Sequence, residues 1–223
     1  MSTSAPTHRV IQTGDSRSFP EAHPLIERAS ASGEVLVLAG AGAGRAYAEV
    51  AGKAAYVAIL IELGTECLGV HTGESRGDEG SNVLGFARFR LGDAKPSDLV
   101  EIVRQPNTAP AALAAAQALF EASGLKTAVC ADFPGRIIDR LVRPYYNAAL
   151  GRLDAKLATA ADMDLTLRLG LGYPQGPIEL LEGTGLAAHH DVTAALHEAL
   201  GDPAYAPARR AQVAKARQLK GRA

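Results

Sequence analysis

The pattern of hydrophobic and polar positions divides this 223-residue chain into two parts. In the first part, short uninterrupted apolar runs such as V-L-V-L at 35–38 are typical of strands buried on both faces of a sheet. Segments of helical character lie between them, of which the alanine-rich stretch 109–123 is the strongest. This alternation predicts an α/β layer. Strands are predicted over 35–38, 56–63, 65–70, 83–90, 99–103 and 127–130, and helices over 45–54 and 109–123.

After Asp132 the apolar positions recur with the period of an α-helix, beginning with Ile137, Ile138 and Leu141. Pro144 lies inside this first helical pattern and is expected to kink it. Glycine and proline then punctuate the chain, and further helices are predicted to begin near residues 159, 177, 189 and 208. The sequence therefore predicts an α/β fold followed by an all-α region.

Residues 1–33 form a polar, proline-containing segment that we interpret as an N-terminal adapter. It is predicted to be loop apart from a short helix over 23–31, and it has no apolar stretch typical of a secretory signal. The predicted domains are this adapter at 1–33, a reduced Rossmann-like α/β domain at 34–131 and a helical dimerisation or substrate domain at 132–223.

Composition and charge exclude several classes of protein. The net charge is -1, whereas a protein that binds nucleic acid by neutralising phosphates normally carries a basic excess. No window reaches the roughly 18–20 apolar residues of a membrane span. Cys67 and Cys130 lie far apart without metal-ligand spacing, so they are interpreted as free thiols and no metal site is predicted. We expect a cytoplasmic protein without nucleic-acid or membrane partners.

A glycine-rich turn follows the first predicted strand, with glycines at Gly40, Gly42 and Gly44. Dinucleotide sites use G-x-G-x-x-G, so the third glycine here comes one residue early. Glu62 ends the next predicted strand, about where an acid that binds the ribose would lie. These four residues are candidates for NAD binding. The alternative is a flexible loop in an alanine-rich protein.

Three segments of the helical part carry a family resemblance. They read P-G-R-I-I-D-R-L-V-R-P-Y at 134–145, D-M-D at 162–164 and G-L-G-Y-P-Q-G-P-I-E-L at 170–180. They closely resemble the C-terminal domain of the 3-hydroxyacyl-CoA dehydrogenase family, whose members share P-G-F-I-x-N-R-L-x-x-P-Y, D-I-D and G-x-G-Y-P-x-G-P-F-E-L. The L-V-E-I-V run at 99–103 extends the resemblance backward, and upstream of it the resemblance fades.

The resemblance implies NAD-dependent oxidation of a 3-hydroxyacyl-CoA, with a histidine as base and a glutamate that orients it. Glu101 matches the glutamate, but Ala87 stands where the histidine belongs. Asp139 stands at the family's asparagine, which removes the amide donor and adds a negative charge beside Glu101. Gly73 is aligned with the family's serine, and His71 is interpreted as a loop histidine, with a displaced base as the alternative. Glu101 and Asp139 are therefore the candidate catalytic residues.

Three hypotheses remain open. The first is a shortened NAD-linked oxidoreductase acting on 3-hydroxyacyl-CoA in fatty-acid or related acyl-CoA metabolism, with weak or lost activity. The second is a non-catalytic relative, a homodimeric acyl-CoA-binding or structural module. The third is an altered chemistry that uses Asp139 or His71. On the late helices, Asp162 and Asp164 are interpreted as features of a helix N-terminus, and His189, His190 and His197 as a solvated helix face.

Overall fold

The computed structural model describes residues 6–221, so the first five residues of the predicted adapter lie outside the described residues. Contacts divide the chain into two compact units. The first unit holds the described residues through Arg90 together with Pro96–Ile137. The second holds Leu91–Lys95 and the chain from Ile138 onwards. The predicted α/β part followed by a helical part is confirmed.

The first unit is built on one sheet, whose strands lie side by side in the order in which they occur in the chain. Neighbouring strands are parallel except for the fourth and fifth, which pair antiparallel. Among residues 6–221 the strands are β1 (His8–Gln12), β2 (Val35–Ala39), β3 (Ala58–Glu62), β4 (Val83–Arg88), β5 (Leu99–Arg104) and β6 (Lys126–Ala131). The helices of this unit are α1 (Pro24–Glu27), α2 (Ala43–Glu49), α3 (Gly69–Thr72) and α4 (Pro110–Ala122).

Strand β1 corrects the expectation that the N-terminal segment is loop outside 23–31. Residues 8–12 pair in parallel register with all five residues of β2. Because β1 is an edge strand with only two strongly apolar side chains, its pattern carries little signal in the sequence. Its place in the sheet depends on backbone hydrogen bonds to a strand far along the chain.

The expected strand over 65–70 is also wrong, because the chain there turns into the short helix α3. Asp132 accepts hydrogen bonds from the backbone N–H groups of Leu68 at 2.6 Å and Gly69 at 2.7 Å. A carboxylate that satisfies these free donors stabilises a helical turn at this point. The partner lies more than 60 residues away, so the local sequence does not reveal it.

Alternate side chains of the central strands enter two separate hydrophobic clusters. Val35 and Val37 of β2 join a cluster with α4, whereas Leu36 and Leu38 join a cluster with α2. All four are fully buried, and each such side chain contributes about 1.5–3 kcal/mol on burial. Burial on both faces confirms the interpretation of this run as an interior strand.

The connections that follow β1 and β2 pass over opposite faces of the sheet. Phe19 and Leu25, between β1 and β2, belong to the cluster that includes α4. Ala43, between β2 and β3, belongs to the other cluster. Where neighbouring connections diverge in this way, an open α/β sheet forms its ligand crevice outside the carboxyl ends of the strands.

The second unit is helical, and glycines in the left-handed conformation end two of its helices, at Gly172 and Gly201. Pro144 lies inside an unbroken first helix. No helix among the described residues is long and apolar enough to cross a membrane. The helices are α5 (Ile138–Asp154), α6 (Ala160–Leu171), α7 (Pro177–Thr184), α8 (Leu186–Leu200) and α9 (Arg209–Lys220).

Candidate functional site

Glu62 lies at the carboxyl end of β3, where the sequence analysis placed an acid for a ribose. Its Oε2 accepts hydrogen bonds from Ser16 Oγ at 2.7 Å and Gly40 N–H at 2.6 Å. Its Oε1 accepts one from Ser18 N–H at 2.7 Å. The side chain is buried, so a ribose hydroxyl would have to displace donors of the chain itself.

Contacts within the chain account for the three glycines of the turn. A Cβ on Gly40, whose φ is +99°, would lie 2.4 Å from the carbonyl oxygen of Thr13. A Cβ on Gly42 would lie 3.0 Å from Thr13 Cβ, and one on Gly44 would lie 2.1 Å from His71 Cε1. The first two glycines therefore allow the segment after β1 to approach, and the third accommodates the imidazole of His71.

Backbone donors of the glycine turn are already in use within the chain. The N–H of Ala41 donates to Asp15 O at 3.0 Å, and the N–H of Gly42 donates to Thr13 O at 2.9 Å. Together with the engaged oxygens of Glu62, these bonds mean that the described residues of the turn do not fit a bound NAD pyrophosphate and ribose. NAD binding at these residues therefore stays a prediction that their geometry does not favour.

His71 lies against this turn, and its Nε2 is 3.4 Å from Glu66 Oε1. Both side chains line a pocket of about 420 Å³ at the carboxyl ends of the first strands, with Arg17 and Arg45. His71 lies on α3, so its interpretation as a loop histidine is wrong, and the displaced base remains the untested alternative.

Glu101 lies on β5, with Ala87 of β4 directly opposite it in the antiparallel pair. Its side chain is only 2% exposed. Oε1 accepts a hydrogen bond from Ile137 N–H at 2.8 Å, and Oε2 lies 3.6 Å from Arg136 Nε. The Arg136 guanidinium is 6% exposed and also donates to Gly64 O at 2.7 Å.

This arrangement places a fixed cation beside the buried carboxylate. An arginine guanidinium has no acceptor and does not lose its proton in proteins, so Arg136 cannot act as a general base. The methyl group of Ala87 cannot accept a proton either. Cys130 on β6 does not fill the role, because burial, reinforced by the Glu101 charge, raises the pKa of its thiol to about 11. The Arg136 charge opposes this rise in the Cys130 pKa. The position of Arg136 beside Glu101 could not be predicted, because no local pattern in the sequence signals a buried arginine.

Asp139, the second candidate catalytic residue, lies in the first turn of α5 and forms an ion pair one helical turn away. Arg143 Nε donates to Asp139 Oδ1 at 2.7 Å, and both side chains are buried. The negative charge expected at this position is therefore matched by a cation on the same helix. The i,i+4 spacing of these two residues is a signal in the sequence that indicates such a pair.

The ion pair continues into a buried hydrogen-bonded chain that includes His189. Arg143 Nη1 lies 3.0 Å from His189 Nδ1, and His189 Nε2 lies 3.0 Å from Asn147 Oδ1. Burial, with the Arg143 charge adding to it, lowers the pKa of His189 to about 3, so the imidazole is neutral. Nδ1 then accepts from Arg143 while Nε2–H donates to Asn147. The expected solvated position of His189 is wrong, because its side chain is buried against α5.

Asp162 lies in the first turn of α6, as expected, whereas Asp164 lies further along α6 and binds the N-terminus of α7 instead. The Asp162 carboxylate accepts a hydrogen bond from the side-chain hydroxyl of Thr159, the residue that caps α6. Asp164 accepts hydrogen bonds from the N–H groups of Ile178 and Glu179 at the start of α7, each at 2.9 Å. Among residues 6–221 no group of three or more His, Cys, Asp or Glu side chains is arranged to hold a metal ion.

A cavity of about 610 Å³ lies within the helical unit, lined by residues of α5, α6, α7 and the loop between α6 and α7. Its tyrosines, Tyr145 and Tyr173, meet edge to face with ring centroids 6.2 Å apart. The Tyr145 hydroxyl is buried and makes no hydrogen bond to any described residue. Burial raises the pKa of this hydroxyl to about 12, so it is protonated at neutral pH.

Comparison with known proteins identifies the helical unit. Residues 135–223 match the family described as 3-hydroxyacyl-CoA dehydrogenase, C-terminal domain. This part of the chain is thus similar to the C-terminal domain of 3-hydroxyacyl-CoA dehydrogenases. The resemblance seen in the sequence is thereby confirmed. Against the dehydrogenase motif, Arg136 replaces a phenylalanine and Asp139 an asparagine.

Curated 3-hydroxyacyl-CoA dehydrogenase relatives match about half of this chain. A 3-hydroxybutyryl-CoA dehydrogenase of Bradyrhizobium diazoefficiens is 33% identical over 110 residues, which are 49% of this chain and 38% of the relative. The mitochondrial hydroxyacyl-coenzyme A dehydrogenase of Homo sapiens is 34% identical over 100 residues, 45% of this chain and 32% of the relative. The match thus spans between about a third and two fifths of the length of these relatives.

Solved structures share the fold over most of this chain. The (S)-3-hydroxybutyryl-CoA dehydrogenase PaaH1 of Ralstonia eutropha gives a TM-score of 0.68 at 22% identity, over 86% of this chain and 70% of that one. FadB2 of M. tuberculosis gives a TM-score of 0.66 at 22% identity, over 84% of this chain and 66% of that one. At this identity the likeness shows the fold, and it confirms the Rossmann-like sheet followed by helices.

Proposed function

We propose that this protein is a 3-hydroxyacyl-CoA dehydrogenase relative that binds an acyl-CoA thioester as a homodimer in the cytoplasm, with NAD-linked dehydrogenase activity weak or lost. Ala87 facing Glu101, whose carboxylate is paired with Arg136, is the observation that carries the loss of activity. The acyl-CoA ligand is supported by the family match and by the names of the relatives.

The first experiment measures reduction of acetoacetyl-CoA by NADH with purified protein. Loss of a positioned general base typically costs ~10²–10⁴ in rate, and typical enzymes turn over at roughly 10 s⁻¹. We therefore expect less than about 0.1 s⁻¹, and the same residual rate for the Glu101→Gln variant. A rate of about 1 s⁻¹ or more that falls in Glu101→Gln would refute the proposal.

Calorimetric titration with acetyl-CoA and, separately, with NADH distinguishes the remaining hypotheses. Acyl-CoA binding without NADH binding is the expected result for the proposed module. If neither acetyl-CoA nor NADH binds, the result favours a purely structural relative of the family. Binding of both, with measurable turnover, favours the shortened oxidoreductase.

The homodimer is proposed through the helical unit, whose helix α6 exposes a line of leucines. Leu165 is 48% and Leu169 is 78% exposed, and the two lie one turn apart on one face. Light scattering at micromolar concentration should give a dimer mass, which Leu169→Glu lowers to that of a monomer. Val213→Glu, at an exposed valine of α9, is the control that should remain dimeric. A monomeric parent protein contradicts this part of the proposal.

A further inference from the structure

Residues 13–19, here named the strap, run from the end of β1 across the carboxyl ends of the next three strands. At the end of β2, Thr13 N–H donates to Ala39 O at 2.8 Å. The strap carbonyls of Thr13 and Asp15 then accept the N–H groups of Gly42 and Ala41 in the glycine turn. This end of the strap thus donates a hydrogen bond to the end of β2 and accepts two from the glycine turn.

At the end of β3 the strap is held by the Glu62 carboxylate. Ser16 Oγ and Ser18 N–H both donate to it at 2.7 Å. Ser16 Oγ in turn accepts Phe19 N–H at 2.8 Å, which closes the strap on itself. Ser16, Ser18 and Phe19 are all buried, unlike the residues of an open surface loop.

At the end of β4 the strap is fixed by Arg88. Its backbone N–H donates to Ser18 Oγ at 3.2 Å, and its Nη1 donates to Ser18 O at 2.8 Å. The Arg88 guanidinium lies 5.3 Å from the centre of the Phe19 ring, which also meets Phe86 at 6.1 Å. A charge-assisted bond, a cation–π contact and an aromatic pair therefore hold this end.

We propose that the strap is a built-in occupant of the crevice in which open α/β sheets bind nucleotides. Ligands of such sheets bind outside the carboxyl ends of the strands, where neighbouring connections diverge, and the strap lies across that edge. The N–H groups of Ala41 and Gly42 donate hydrogen bonds to the strap, and that of Gly40 donates to the Glu62 carboxylate that holds it. These donors therefore do not bind a pyrophosphate. This inference deepens the proposed function and rests on it for the expectation that NAD is not used.

The experiment is amide hydrogen exchange of the full chain, read by NMR at Ser18, Gly40 and Gly42. In the parent protein these amides exchange at least about 10²-fold more slowly than unprotected amides, and 1 mM NADH shifts none of their resonances. Fast exchange at all three sites, or a shift on addition of NADH, overturns the proposal.

Ser16→Ala tests the hold on the strap. The variant loses the bond to Glu62 and the acceptor for Phe19 N–H, so exchange at Phe19 and Gly40 should become about tenfold faster. Ser123→Ala removes a buried serine hydroxyl that bonds Leu119 O in α4 and should leave these sites unchanged. Equal exchange in both variants refutes the role of Ser16. NADH contact at the strap without turnover overturns only this inference, whereas turnover refutes the proposed function.

Discussion

Replacing Arg136 by methionine removes the cation that lies 3.6 Å from Glu101 Oε2 and leaves a side chain of similar length. Glu101 is 2% exposed, so water cannot replace the lost guanidinium without rearrangement of the sheet edge. The variant also loses the 2.7 Å bond that Arg136 donates to Gly64 O. The perturbation therefore leaves the buried Glu101 carboxylate without this cation, although the Ile137 N–H still donates to it.

The magnitude follows from the distance and the burial. At an effective dielectric constant of about 20, unit charges 3.6 Å apart attract by about 4–5 kcal/mol before desolvation is counted. Breaking a buried pair by removing one partner typically costs about 3–5 kcal/mol. We expect Arg136→Met to lower the free energy of unfolding by an amount in this range.

The assay is urea unfolding of Arg136→Met, Glu101→Gln and the double variant. Because the double variant leaves neither charge buried alone, it should be less destabilised than the sum of the single variants by at least about 1 kcal/mol. Arg76→Met is a matched control, since Arg76 also has a positive φ but is exposed. Additivity within about 0.5 kcal/mol would show that the two side chains do not act as a pair and would refute the reasoning.

Three further variants test the helical unit. The pKa of His189 is lowered to about 3 in the folded protein, so the unfolded chain binds one more proton between about pH 6.5 and 3, and stability falls as pH falls through this window. Urea unfolding of His189→Gln should show a decline between pH 6.5 and 4 that is shallower by up to ~1.4 kcal/mol per pH unit, and an unchanged slope contradicts the assignment. Gly176→Ala should lower the melting temperature, because its Cβ would lie 2.2 Å from Asp164 Cβ, which carries the cap of α7. A Cβ on Gly183, inside α7, would have nothing within 4 Å. Gly183→Ala should therefore raise the melting temperature, because Ala is more stable than Gly inside a helix by about 0.5–1 kcal/mol. Equal melting temperatures for the Gly176→Ala and Gly183→Ala variants refute the clash.

The interior strands and the helical unit could be predicted because their signals are local. The run at 35–38 is apolar at every position, since both faces of β2 are buried, and α4 begins at a proline. The start of α6 also follows from nearby residues, because Thr159 caps it and Asp162 lies in its first turn. Such features are fixed within one or two turns of chain.

The candidate site could be predicted only in part. The motif match located Glu101 and Asp139 and the absence of a base at Ala87, and the pairing of β4 with β5 places Ala87 opposite Glu101. The countercharges could not be predicted, because a buried arginine has no local pattern in the sequence. Arg136 belongs to a turn far from β5, and it reaches Glu101 only when the sheet has formed.

By itself, the sequence determined the interior strands, the main helices and the resemblance of the helical unit to a known family, because apolar periodicity and motif letters need only neighbouring residues. Tertiary structure alone decided that residues 8–12 extend the sheet, that residues 13–19 cross its carboxyl edge, and that His189 is buried. These outcomes depend on pairs such as Ser16 with Glu62 and Arg143 with His189, each 46 residues apart. Hydrogen bonds and ion pairs at such separations form only when folding brings the partners together, and a single sequence carries no local record of them.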